Sequence, residues 1–298
     1  MPRLFDAYVI VRWSAASKAS AGADSVRIGL IKRDVRFRNA FETHAAPTRV
    51  EGEKRLVAIL DDLLKRNERV LLGLDFPLGL PRGLAAGLKL EGEPWRAVWN
   101  QLDRMVKDKP DNTNNRFGVG AEINRRITGG PFPFWGCPPR DALTTLQPKR
   151  THEHQAGDLP ELRFTEERAK GAPSIWKLYY NGSIGGHAIL GIPMVRRLKL
   201  KYGDAFKAWP FETGWGPLTP AGLEGVSVVA AEVFTGLVEA KPGPGEAKDQ
   251  AEVRATAEHL ARLDEASKLS PLFAAPKGLD EAAAATAQTE EGWILGAA

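Results

Sequence analysis

The chain has 298 residues, 43% hydrophobic and 26% charged, with a formal net charge of +4. This is the composition of a soluble globular protein of one large domain or two ordinary ones, and its mild basic bias permits a polyanionic partner without demanding one. No run of about 18 apolar residues announces a membrane span; the one cysteine, Cys137, excludes an internal disulfide, and with no secretory signal in "MPRLFDAYVIVRW" the expected location is the cytoplasm.

In chain order, "AYVIV" (Ala7 to Val11) is continuously apolar, as in a strand buried on both faces. "SVRIGLIK" (Ser25 to Lys32) and "VRFRNAF" (Val35 to Phe41) alternate, the latter turning Val35 and Phe37 inward, and the link Arg33-Asp34 is short enough for a hairpin. Thr48 followed by Glu51 is a capping-box pattern, and Leu56, Ile59, Leu60, Leu63 and Leu64 then make one helical stripe. "VLLGLD" (Val70 to Asp75) is a second buried strand, expected parallel to the first and beside it, because a helix crosses between them. "VSVVAAEVF" (Val226 to Phe234) predicts a further strand. Helices are predicted over Lys248 to Ala266 and Leu279 to Trp293.

Between these parts lies a long stretch, residues 81–220, with several helical segments and many prolines and aromatics. "WRAVWNQLDRMV", "NNRFGVGAEINRRI", "TEERAKG" and "HAILGIPMVRRLKLKY" are its helices. The expectation is one compact α/β domain. Its core comprises residues 1–80 and 221–298, a mixed sheet in the order β-β-β-α-β … β-α of the ribonuclease H-like fold, and 81–220 form a mostly helical insertion over it.

Ligands of open α/β sheets sit at the carboxyl ends of the strands. Asp75 ends one apolar strand, Glu232 lies near the end of another, and Glu290 and Glu291 close the last helix. Acids brought together there would repel without a cation, and magnesium (or manganese), which prefers hard oxygen ligands, could polarise a phosphodiester among them. The plain alternative is that each is a turn or helix-end residue bonded to nearby backbone N–H groups.

"LGLDFPLGLP" resembles the IDxPxGLP motif of a bacterial and archaeal family described as predicted ribonuclease H-like nucleases. "YVIVRWSAAS", "DNTNNRFGVGAEINRR", "PFWGCPP", "LRFTEERAKGAPSIWKLYYNGSIGGHAILGIP", "WPFETG", "AAEVF", "KDQAEVRA" and "EEGWILG" resemble its proteobacterial branch, so the likeness spans nearly the whole chain. It implies a metal-dependent nuclease or phosphodiester hydrolase, with Asp75, Glu232 and Glu291 (or Glu290) as catalytic and metal-binding residues. Some members carry labels linked to molybdopterin guanine dinucleotide synthesis, which raises a cofactor-accessory role in which the tryptophan-rich stretches stack a ring. One departure stands out: the branch's first strand is expected to read VDWSAAS, and here Arg12 precedes Trp13. Arginine cannot ligate a metal. It would pair with Asp75 across parallel strands, leaving a degenerate protein that binds a nucleotide or another anion, or it would contact a phosphate directly.

The small-residue loop from Trp13 to Ser25, including Ser14, is a candidate phosphate cradle, and Asn115 and Arg116 are candidate phosphate contacts. "NGSIGGHA" runs into a helix, so its N–H groups could hold an anion, but a tight turn explains it as well. His152, His154 and Cys137 lack the spacing of a zinc site. The basic strips "KRDVRFR" and "RRLKLKY" read as nucleic-acid contacts or as solvated faces.

Overall fold

The computed structural model describes residues 3–22, 24–34, 36 and 38–298. Six strands form one sheet in the order β3-β2-β1-β4-β6-β5. They are β1 (Ala7–Arg12), β2 (Val26–Arg33), β3 (Asn39–Ala46), β4 (Val70–Leu74), β5 (Phe206–Ala208) and β6 (Val228–Glu232). The first three pair antiparallel as a meander, while β1–β4, β4–β6 and β5–β6 are parallel, so β2 alone opposes the rest. The class is α/β, as expected.

The helices are α1 (Arg49–Lys65), α2 (Leu84–Gly87), α3 (Pro94–Met105), α4 (Arg116–Ile127), α5 (Phe164–Arg168), α6 (Gly185–Tyr202), α7 (Lys248–Glu265) and α8 (Glu281–Thr286). At the start of α1 the Thr48 hydroxyl accepts from the Glu51 N–H at 3.2 Å, the cap its sequence predicts. Beyond α8 the chain makes one π turn over Ala287–Glu291. No helix among the described residues is long and apolar enough to cross a membrane.

The strand period of two divides the core into two layers. Ala7, Val9 and Val11 share one face with Leu72, Leu74, Val228 and Ala230, and pack on Leu56, Leu60 and Leu63 of α1 and on α3 and α6. Tyr8 and Ile10 share the other with Leu71, Val229 and Ala231, against Val253, Ala257 and Leu260 of α7.

Two departures have local causes. β3 starts at Asn39 rather than near 35, because Asp34 builds the turn: its Oδ1 accepts from the N–H groups of Arg36 (2.8 Å) and Arg38 (2.9 Å). Val35 and Phe37, expected inward on this strand, lie outside the described residues. β5 has no sequence signal, being three residues on the sheet edge, and it falls within 81–220, the stretch expected to be a mostly helical insertion.

Candidate functional site at the carboxyl edge of the sheet

β1, β4 and β6 end together: Val11 is level with Leu74, and Leu74 with Glu232. The next pair is therefore Arg12 and Asp75, and the Asp75 N–H continues the ladder to the Val11 carbonyl at 2.9 Å. Alternation then decides which way each side chain faces. Arg12 and Asp75 lie on the α7 face, while Glu232 lies on the opposite face with Val228 and Ala230. The two acids expected to share a cluster end neighbouring strands and both line the cleft at this edge, but their side chains leave the sheet on different faces.

On the α7 face, Arg12 Nε lies 3.3 Å from Asp75 Oδ2, and its Nη1 donates to Glu252 Oε2 of α7 at 2.6 Å. Thr235, just past β6, donates its N–H to Asp75 Oδ1 (3.1 Å) and its hydroxyl to Oδ2 (3.2 Å). Burial pushes the Asp75 carboxyl above the usual carboxylate range, and the Arg12 charge and the Thr235 bonds draw it partly back.

On the other face Glu232 is gripped by Arg163, which donates Nη2 to Oε1 (2.6 Å) and Nη1 to Oε2 (2.8 Å); the Leu78 N–H adds a third bond at 3.2 Å. Arg163 is fully buried, pairs also with Glu166 at 2.9 Å, and donates to the Glu291 carbonyl at 2.8 Å. The Glu291 carboxylate accepts from Arg82 N–H (2.9 Å) and Nη1 (3.0 Å) through one oxygen, and from the Phe164 N–H (2.8 Å) through the other. Glu290 accepts from the Ala85 N–H at 3.2 Å. Gly79 lets this assembly close, since a Cβ there would stand 2.3 Å from the Glu291 carbonyl oxygen.

These contacts test the expected magnesium site by its donors. Asp75, Glu232, Glu290 and Glu291 each spend oxygens on a guanidinium or on N–H groups, and among the described residues no group of three or more His, Cys, Asp and Glu is arranged to hold a metal ion. Arranged in this way, they do not fit a divalent cation, which needs carboxylate oxygens free to converge on it.

A cleft of about 1610 Å³ opens at this edge, walled by the loop after β1, Asp75, the start of α6 and the Tyr179–Tyr180 segment. Arg116 faces it from the first position of α4. Ser14 uses its hydroxyl within its own loop, donating to the Asp24 carbonyl and accepting from the Ala16 N–H at 3.1 Å. Asn115 ties α3 to α4, accepting from the Lys107 N–H (2.7 Å) and donating to the Met105 carbonyl (2.9 Å). Both candidate phosphate contacts thus bond the backbone, and Ser14 also lines the cleft.

His187, in the first turn of α6, lines the cleft with its Nδ1 buried. Burial, then the charges of Arg12, Arg116 and Arg49, lower it from 6.5 to about 4, so the imidazole is neutral at neutral pH. Glu252, Thr235, Arg163 and His187 carry no motif that marks them in the sequence. Only their chain neighbourhoods ("KDQAEVRA", "LRFTEER", "NGSIGGHA") stood out there.

The tryptophans of the 81–220 insertion, expected to stack a ring, are mostly core: Trp95, Trp99, Trp176 and Trp209 are buried, and two tyrosines face the cleft instead. The basic strips are locally neutralised, with Arg196 on Asp103 (2.7 Å), Arg197 on Glu53 (2.6 Å) and Lys32 on Glu42 (3.0 Å). His152 pairs with Asp158 at 2.9 Å, and Cys137 is buried. The chain matches no family model, no curated protein and no solved structure.

Proposed function

We propose that this protein binds a phosphate-bearing small molecule in the cleft at the carboxyl edge of a ribonuclease H-like sheet, with a guanidinium taking the place of a metal ion. The observation that carries this reading is the pairing of Arg12 with both Asp75 and Glu252. The acid at the end of β4 already has its cation, so anion binding does not depend on magnesium. The antiparallel meander followed by parallel β1–β4 and β4–β6 pairing supports the fold assignment. Arg116, buried beside the cleft without a carboxylate partner among the described residues, supports the sign of the ligand's charge. Metal-dependent phosphodiester cleavage, the activity the family resemblance implies, would first require the acids to be released from Arg12, Arg163 and Arg82.

Calorimetric titration of phosphate and pyrophosphate into the protein, with and without EDTA, tests the proposal. Binding that persists in EDTA and weakens in Arg116→Gln is the expected result. Binding that appears only with magnesium would refute it.

A further inference from the structure

Arg116 is 4% exposed. Its Nη1 donates to two neutral oxygens, Ser17 Oγ (2.8 Å) and Asn114 Oδ1 (2.9 Å), and its buried Nε has no partner among the described residues. The carboxylates in its vicinity are engaged elsewhere: Asp108 pairs with Arg49 at 2.6 Å and Asp141 with Arg140 at 3.7 Å. A buried charge with no counterion is costly, and an anionic ligand would relieve that cost.

The start of α6 meets Arg116 at the same place. A Cβ on Gly186 would lie 3.1 Å from the Leu178 carbonyl oxygen, 3.2 Å from Ala15 Cβ and 3.3 Å from Arg116 Cδ, so the helix backbone packs closely against Arg116 here. Among the described residues no side chain caps this 18-residue helix, the Gly185 N–H donates to the Lys177 carbonyl at 3.0 Å, and the helix's positive end adds to the guanidinium charge.

Next to this positive corner is an aromatic shelf. The Arg116 guanidinium lies 4.2 Å from the Phe117 ring centroid, Phe117 is 6.1 Å from Tyr179, and Tyr179 is 4.8 Å from Tyr180. Tyr179 and Tyr180 line the cleft yet remain 38% and 45% exposed, unlike most large aromatics of the chain. Tyr180 is held at φ 76°, a conformation that bulky residues rarely adopt, and its hydroxyl donates to the Cys137 carbonyl at 3.1 Å. The chain thus presents partly exposed aromatic rings beside a guanidinium that has no carboxylate partner among the described residues.

We infer that the ligand is an aromatic heterocycle carrying a phosphate, the chemistry of a nucleoside monophosphate, with its ring on Tyr179 and Tyr180 and its phosphate on the cleft side of Arg116, beside the first turn of α6. The inference rests on the reading of the cleft as an anion site and adds the ring to it. Stacking on an aromatic side chain tolerates any base, so the shelf selects for a ring and not for its identity.

The test is calorimetric titration of the full chain, in EDTA, with GMP, UMP, guanosine, ribose 5-phosphate and inorganic phosphate. Both nucleotides are expected to bind about tenfold more tightly than ribose 5-phosphate, and guanosine more weakly than GMP. Tyr179→Ala, at a partly exposed position, should abolish the nucleotide advantage and leave ribose 5-phosphate unchanged, while Tyr179→Phe should keep it. Ribose 5-phosphate binding as tightly as the nucleotides would overturn the shelf and leave the anion site standing. Guanosine binding as tightly as GMP would overturn the phosphate half, and no binding by any of the five would overturn both readings.

Discussion

Arg12 and Asp75 sit level on adjacent parallel strands, with Nε 3.3 Å from Oδ2, and Arg12 reaches on to Glu252 at 2.6 Å. The pair fills the position at the sheet edge where the sequence raises the prospect of a metal. Its geometry follows from register, since one residue beyond the Val11–Leu74 pairing the two side chains emerge on the same face.

Thr235 bonds both oxygens of Asp75, its N–H on Oδ1 and its hydroxyl on Oδ2, the oxygen that Arg12 also faces. Thr235→Val keeps the shape but removes the hydroxyl bond, so unfolding free energy should fall by about 1 kcal/mol in urea denaturation. The Asp75 carboxyl, already raised by burial, should rise further. Carbon-13 NMR titration of labelled aspartate side chains reads that shift, and an unmoved carboxyl would show that the Thr235 bond is not formed.

The Arg163 network is a structural anchor. Arg163→Met leaves Glu232 and Glu166 buried without their cation, and the expected loss is about 3–5 kcal/mol in denaturant unfolding. Glu232→Gln should also destabilise the fold. If Glu232 were instead a free ligand of the cleft, these changes would alter ligand binding and leave stability nearly untouched.

His187 makes stability depend on pH. Its folded value of about 4 lies below its ordinary 6.5, so between these values the unfolded chain binds more protons than the folded one. Stability contributed by neutral His187 is full above pH 6.5 and is lost as pH falls toward 4, by as much as about 3 kcal/mol. Asp75, Glu166 and Glu290 act oppositely: their carboxyls are raised by burial, so they favour the folded state as pH falls toward the ordinary carboxylate range. The His187 part is isolated by difference. Denaturation of the wild type and of His187→Asn across pH 4 to 7 should give a shallower rise with pH in the variant, and identical slopes would rule the effect out.

What the residues themselves disclose follows physical lines. β1, β4 and β6 are legible because strands buried on both faces need unbroken apolar runs, and Thr48 marks the start of α1 because its cap is local. The meeting of Arg12 with Asp75 is legible too, since a parallel crossover sets those strands side by side. The face taken by Glu232 is not, because it depends on which residue of β6 lies level with Leu74. Arg163 finds Glu232 from 69 residues away, and Glu252 arrives under Arg12 from 240 residues away, so no spacing rule could have disclosed either partner. The tyrosines of the cleft were hidden by a different cause, since tryptophan-rich stretches look like ring-stacking surfaces until burial places them in the core.

The most direct measurement is calorimetric titration of manganese into the wild type and into Arg12→Asp at neutral pH. If Arg12 holds Asp75 and Glu252 in the place of a metal, the wild type shows no specific binding. The variant, with three carboxylates converging and no guanidinium among them, should gain a site. Tight manganese binding by the wild type, or none by a folded Arg12→Asp variant, would contradict the account.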